Sequence, residues 1–140
     1  MIVVGQSSEK GRGVYAKKKM RAGQRIERCP VIPLSPDERA RIEPTILDMY
    51  CFCWGDDESD EVAIVLGYGS IYNHSYQPNA DFHPKQEEGA MDFVALRDIA
   101  PGEEITINYN GAPEDQSPLW FRQGAWGWYP KTNSSRARAA

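Results

Sequence analysis

The chain is poor in the residues that staple small proteins. It holds three cysteines and two histidines. Cys29, Cys51 and Cys53 form no C-x-x-C pair, and His74 and His83 are not spaced as zinc ligands on one element, so neither a disulfide framework nor a structural metal is expected. Free thiols fit a reducing compartment. No apolar run approaches the ~18 residues of a membrane span, and Met1-Ile2-Val3-Val4 is too short for a signal peptide, so an intracellular, cytoplasmic protein is expected, or a nuclear one if the source is eukaryotic. Positive charge is also in deficit: 16 Lys and Arg face 20 Asp and Glu, a net charge of -4. That balance argues against nucleic acid as a direct partner, because phosphate binding leaves a basic footprint. It serves solubility first and would also attract a lysine-rich peptide.

What is present is enough for one compact domain. A chain of 140 residues buries about two-thirds of its unfolded surface. Short alternating runs separated by Gly, Pro and Asn predict strands at Val14-Tyr15-Ala16, residues 25–28, 63–66, 91–96 and 104–109. Arg21-Ala22-Gly23 and Ala100-Pro101-Gly102 read as turns, the second with Pro and Gly placed for type II. Ser35, Pro36 and Glu38 form a capping box with Pro at the first helical position, which predicts a short helix over 36–43. Pro44 interrupts it, with a further turn towards Tyr50. The acidic run over 56–61 reads as a solvated loop. No internal repeat is present, and 131–140 lacks apolar anchors, as a flexible tail would.

Three ordered segments carry the chemistry. Gly11-Arg12-Gly13-Val14-Tyr15-Ala16 lies near the N-terminus, Asn73-His74-Ser75-Tyr76-Gln77-Pro78-Asn79 follows in mid-chain, and Gly102-Glu103-Glu104-Ile105-Thr106-Ile107-Asn108-Tyr109 comes about thirty residues later. Taken alone, Gly11 and Gly13 allow the backbone to approach a ligand closely, with a plain β-turn as the alternative. Together the three segments resemble the signature of the SET-domain protein methyltransferases, over roughly residues 9 to 121.

The resemblance implies a mostly β, β-clip-like fold: several small curved sheets, a short helix, and a threaded pseudoknot core in which the C-terminal strand passes through a loop formed with the N-H-S segment. A single domain over 1–130, closed by an aromatic C-terminal flank, is expected. Periodicity alone gives only a mostly β domain, because threading is rare.

The resemblance also implies S-adenosylmethionine as cofactor and a protein with an exposed lysine as partner. Tyr109 corresponds to the catalytic tyrosine. Tyr50, in Tyr50-Cys51-Phe52-Cys53-Trp54, corresponds more loosely to a tyrosine of the lysine channel, and as a residue is equally at home on a sheet face. Ile107 stands where many relatives carry a channel aromatic that limits how many methyl groups are added. Lys10, Gly11, Arg12, Gly13 and Tyr15 form the cofactor loop, whose amides can receive a carboxylate. Asn73 and His74 carry over as cofactor contacts, and Trp120 as the platform for the adenine. Trp126, Trp128 and Tyr129 either cover the channel or close the core.

A lysine amine must lose its proton before it can attack a methyl group. With a reference pKa of about 10.4, that costs roughly 4.6 kcal/mol at pH 7. An apolar channel and a neighbouring cation both lower the cost.

The chain departs from larger relatives in carrying Tyr76 where many have a zinc-binding cysteine, in having no cysteine after Cys53, and in carrying Ser70 where several have an arginine near the cofactor. It resembles the minimal viral and bacterial SET domains. Two alternatives stand beside the lysine methyltransferase: a non-catalytic SET-like peptide-binding module, and a methyltransferase acting on another side chain such as histidine. A monomer or weak homodimer is expected, since strand edges and exposed aromatics allow association.

Overall fold

Among the described residues, alternation and tight turns produce nine strands in two sheets, seen in a computed structural model that describes residues 1–7, 10–56 and 59–119. One sheet has the order β1 (Ile2–Ser7), β2 (Gly11–Ala16), β9 (Glu104–Ile107) and β6 (Asn73–His74). The other runs β4 (Phe52–Cys53), β5 (Val62–Val65), β3 (Arg25–Leu34), β8 (Ala90–Ala95) and β7 (Ala80–Lys85). The one α-helix among the described residues, α1 (Pro36–Ile42), is followed by a 3-10 turn at Ile46–Tyr50, and a second 3-10 turn lies at Gln86–Glu88. The expected mostly β architecture, with small sheets and one short helix, is the one observed. No helix among the described residues is long and apolar enough to cross a membrane. The acidic run is described at 56 and 59–61, where Asp60 meets Arg39 across 3.4 Å. The aromatic residues 126, 128 and 129 and the segment 131–140 lie outside the described residues.

Local chemistry explains the punctuation. Ser35 caps α1 by accepting from the Glu38 amide, while the Glu38 side chain accepts from the Ser35 amide, and Pro36 occupies the first turn. Gly102 adopts φ 84° and the Glu103 amide donates to the Ala100 carbonyl, the geometry a Pro-Gly type II turn requires. Pro84 is tolerated because β7 lies at the edge of its sheet. In β3, a bulge between Arg25 and Glu27 re-phases the strand. Glu27 and Cys29 then lie opposite Phe93 and Met91, both fully buried.

The core joins both sheets. Val14, Ile105 and Ile107 contribute from the first; Phe52, Val65, Met91 and Phe93 from the second; Met20 and Ile99 close it from a bridge between two loops. Phe52, Phe82, Phe93 and Tyr72 form an aromatic group, with Tyr72 stacked on Phe93 at 4.5 Å. Each fully buried side chain of this size contributes about 2 kcal/mol.

β9 is the strand on which the arrangement turns. It pairs antiparallel with β2 and parallel with β6, over two residue pairs on each side. Such short ladders leave backbone groups to satisfy, and buried Asn79 satisfies several: Nδ2 donates to the Glu104 carbonyl at 2.8 Å and Oδ1 accepts from the Thr106 amide at 2.8 Å. Asn79 Nδ2 also reaches the Glu103 carboxyl, which Arg97 grips and the Ala100 amide caps.

Replacing Asn79 with Ala removes these bonds and strands the Thr106 amide, so unfolding free energy should fall by about 3 kcal/mol in urea titration. The Arg97 hydrogen bond, helped by the Ala100 amide and Asn79, holds the Glu103 carboxyl down to about 2 from its ordinary 4.5. A carboxyl with a depressed folded pKa stabilises the fold fully above its unfolded value, and the contribution disappears as pH falls towards the folded one. Melting temperature should therefore drop between pH 4.5 and about 2, less steeply in Glu103→Gln.

Candidate active site

The parallel pairing of β6 with β9 brings the second and third sequence segments together. Asn73 lies opposite Thr106 and His74 opposite Ile107, and the Ser75 amide donates to the Ile107 carbonyl at 2.9 Å. Just beyond β9 the Tyr109 amide donates to His74 Nδ1 at 3.0 Å, which puts the proton of the neutral ring on Nε2. The Tyr109 hydroxyl donates to the Tyr72 carbonyl at 2.6 Å. With its hydrogen so directed, the oxygen presents lone pairs to anything else that approaches. The ring lies 5.2 Å from that of His74, and only 7% of the residue is exposed.

The chain after Tyr109 folds back over this junction. Buried Asn108 donates to the Pro113 and Asp115 carbonyls and accepts from the Asn110 amide. Tyr76 donates to the Ser117 carbonyl at 2.9 Å, and Gln116 donates to the Tyr76 carbonyl. Tyr76, directly after the N-H-S run, thus docks the C-terminal segment by its phenol. Among the described residues no group of three His, Cys, Asp or Glu could hold a metal ion.

The first segment is tied to the same junction. Lys10 Nζ donates to the His74 carbonyl at 2.7 Å. Asn73 Nδ2 donates both to the Arg12 carbonyl at 2.8 Å and to Glu104 Oε2 at 2.7 Å. Both amide hydrogens are engaged. Gly11 adopts φ 77°, a conformation that favours glycine. A side chain at Gly13 would meet Glu104 Oε2 at 2.3 Å and Asn73 Nδ2 at 2.8 Å, so the close approach of these groups requires glycine.

Tyr50 ends the 3-10 turn beside this loop. Burial raises its phenol pKa, and the Arg12 guanidinium acts in the opposite direction. The Ser70 hydroxyl shares its one hydrogen between the Val65 carbonyl at 3.0 Å and the Tyr50 carbonyl at 3.3 Å, which binds the turn to the loop before β6. Tyr15 pairs with Glu104 across the ladder of β2 and β9. Its ring lies where a side chain on Gly5 would be, its hydroxyl donates to the Gln6 carbonyl, and burial followed by the Glu104 charge raises its pKa. Ile107 is fully buried in the core. Trp120 lies outside the described residues.

The structure therefore joins Lys10, Arg12, Gly13, Asn73, His74 and Tyr109 in one network with Tyr50 at its margin. Glu104 and Asn79 belong to it as well. Both lie inside the sequence segments that drew attention to the site, and their polarity in a strand or turn next to buried positions was the available signal. Tyr72 and Glu27, which support the network from behind, carried no comparable signal.

A family model described as SET domain matches residues 11–110. The histone-lysine N-methyltransferase, H3 lysine-37 specific, of Schizosaccharomyces pombe is 29% identical over 125 residues, covering 89% of this chain and 79% of its own length. Among solved structures, a candidate histone methyltransferase of Plasmodium falciparum superposes with a TM-score of 0.62 at 30% identity, over 80% of this chain and 99% of that one. A chain of the Chaetomium thermophilum Polycomb Repressive Complex 2, in a structure bound to S-adenosylmethionine, shares the fold at a TM-score of 0.63 and 22% identity; 77% of this chain matches 15% of that chain.

Gly13→Ala should force Glu104 out of its seat and lower unfolding free energy by about 2 kcal/mol, as overpacking does. In the double variant with Glu104→Ala, much of that loss should return, which paired urea titrations would measure.

Proposed function

The chain belongs to the SET domain family, and on that premise we propose that it transfers a methyl group from S-adenosylmethionine to the ε-amine of a lysine in a basic protein, with a histone-type tail as the first substrate to try. The observation that carries this reading is the junction itself: Tyr109 is held by His74 through its amide and by the Tyr72 carbonyl through its hydroxyl. Three cysteines with no C-x-x-C pair fit a reducing compartment, and the cytoplasm is the location this reading takes.

The residues fit the cofactor. Asn73 Oδ1 can accept from an ammonium, while Lys10 and Arg12 supply the cations a carboxylate needs. The Gly11 to Gly13 backbone lets a ligand approach closely. When bound, S-adenosylmethionine supplies an electrophilic methyl group on a sulfonium.

The protein's own task is positioning. A displacement at carbon requires nucleophile, methyl group and leaving group in line, and fixing that geometry removes much of the barrier. Tyr109, its hydrogen engaged by Tyr72, offers oxygen lone pairs to the incoming amine and to polarised C–H groups. Tyr50, half-buried next to Arg12, would line the channel in this reading and favour an uncharged amine by excluding water. A lysine amine entering here would first have to release its proton to solvent, and Tyr109 would then hold the neutral nitrogen towards the methyl group that the bound cofactor would supply.

Calorimetric titration with S-adenosylmethionine, followed by transfer of labelled methyl to histone H3, tests the reading. Saturable one-to-one binding and label on lysine support it; binding without transfer to any basic protein favours the non-catalytic module. Tyr109→Phe should keep the cofactor affinity while lowering kcat at least about tenfold, roughly 1.4 kcal/mol of transition-state stabilisation. Unchanged turnover would remove Tyr109 from this role.

A further inference from the structure

Behind Tyr109 lies a polar connection that runs to the opposite sheet. Tyr72 is fully buried, an unusual place for a phenol, and its hydroxyl donates to Glu27 Oε1 at 2.7 Å. Its ring is stacked on Phe93 at 4.5 Å, and its carbonyl accepts from the Tyr109 hydroxyl. Side chain and carbonyl of one residue thus link Glu27 to Tyr109.

Glu27 reaches this position because of the β3 bulge, which sets it across from buried Phe93. Its second oxygen accepts from the Tyr68 amide at 3.3 Å. Gly67, at φ 61°, lets the carboxyl come close, since a side chain there would lie 2.7 Å from Glu27 Oε2. The Cys29 thiol adjoins the same group, and its pKa is raised by burial first and by Glu27 second. The loop from Gly67 to Tyr72 is moulded around one carboxyl group, and that loop ends at the carbonyl that orients Tyr109.

We infer that Glu27 is a positioning residue for methyl transfer, acting through Tyr72 to set the carbonyl that holds the Tyr109 hydroxyl. The inference rests on the reading of Tyr109 as the catalytic tyrosine. A carboxyl offers acceptors to both Tyr72 and Tyr68, whereas an amide must turn a donor towards one of them. Glu27→Gln therefore disturbs the connection at nearly constant volume. Tyr72→Phe breaks it while keeping the ring on Phe93, so a folded variant remains if Glu27→Gln proves unstable.

Both variants should lower kcat about fivefold or more, with KM and cofactor affinity within about twofold of the parent. In a Tyr109→Phe background, which lacks the hydroxyl, neither should cost more than about twofold further. A purely structural role would give the full penalty in both backgrounds, and that result, or an unchanged kcat, overturns the inference. In protein labelled with ¹³C at tyrosine Cζ, the Tyr109 resonance, identified by its loss in Tyr109→Phe, should move in both variants. An unmoved resonance overturns the inference whatever the turnover. If the parent protein neither binds S-adenosylmethionine nor transfers methyl, the proposed function fails, while the resonance still decides whether Glu27 sets Tyr109.

Discussion

β9 is held on both sides by ladders only two residue pairs long, and the fold depends on how its remaining backbone groups are satisfied. Two flanking strands of that length cannot meet every amide and carbonyl, and a buried group left unmet costs about 1–3 kcal/mol. One amide side chain, that of Asn79, takes over this task, and two others tie the neighbouring chain around the strand. Asn79 bonds the Glu104 carbonyl and the Thr106 amide; Asn73 spans from Glu104 to the Arg12 carbonyl; Asn108 gathers the chain beyond the strand. All three are almost wholly buried. An asparagine suits this work because one short side chain carries both a donor and an acceptor.

The site is a consequence of the same clamps. Holding β9 against β6 places His74 Nδ1 at the Tyr109 amide and the Tyr72 carbonyl at the Tyr109 hydroxyl. Holding Arg12 to Asn73 brings the glycine loop to the same place. Stability and the geometry of the candidate site therefore share residues, and substitutions in these motifs should be read for both. Hydrogen bonds in such a buried network reinforce one another, while a single loss leaves a partner stranded.

Much of the local structure was legible. The Ser35 to Glu38 capping box, the Pro101-Gly102 turn and the Pro44 break each follow from short-range sterics and hydrogen bonding, and each appears where expected. Strand boundaries were less legible. β3 extends through Pro30 and Pro33 to Leu34, and β1 and β7 carried no sufficient alternation of their own. Pairing extended them: β1 is held by β2 along its whole length, and β7 by β8. Propensity cannot report a partner that lies far away in sequence.

The sequence by itself determined the family, the mostly β class and the residues of three motifs, because these depend on residue identity at fixed spacing. Only the tertiary structure decided which motif residues touch. It set Tyr15 against Gly5, gave Tyr76 the role of docking the C-terminal segment, and turned Glu27 inward through a bulge. Those outcomes rest on strand register and on contacts across more than forty positions of chain, such as that between Tyr72 and Glu27. A one-residue change of register reverses the face of every side chain in a strand, and no local pattern encodes it.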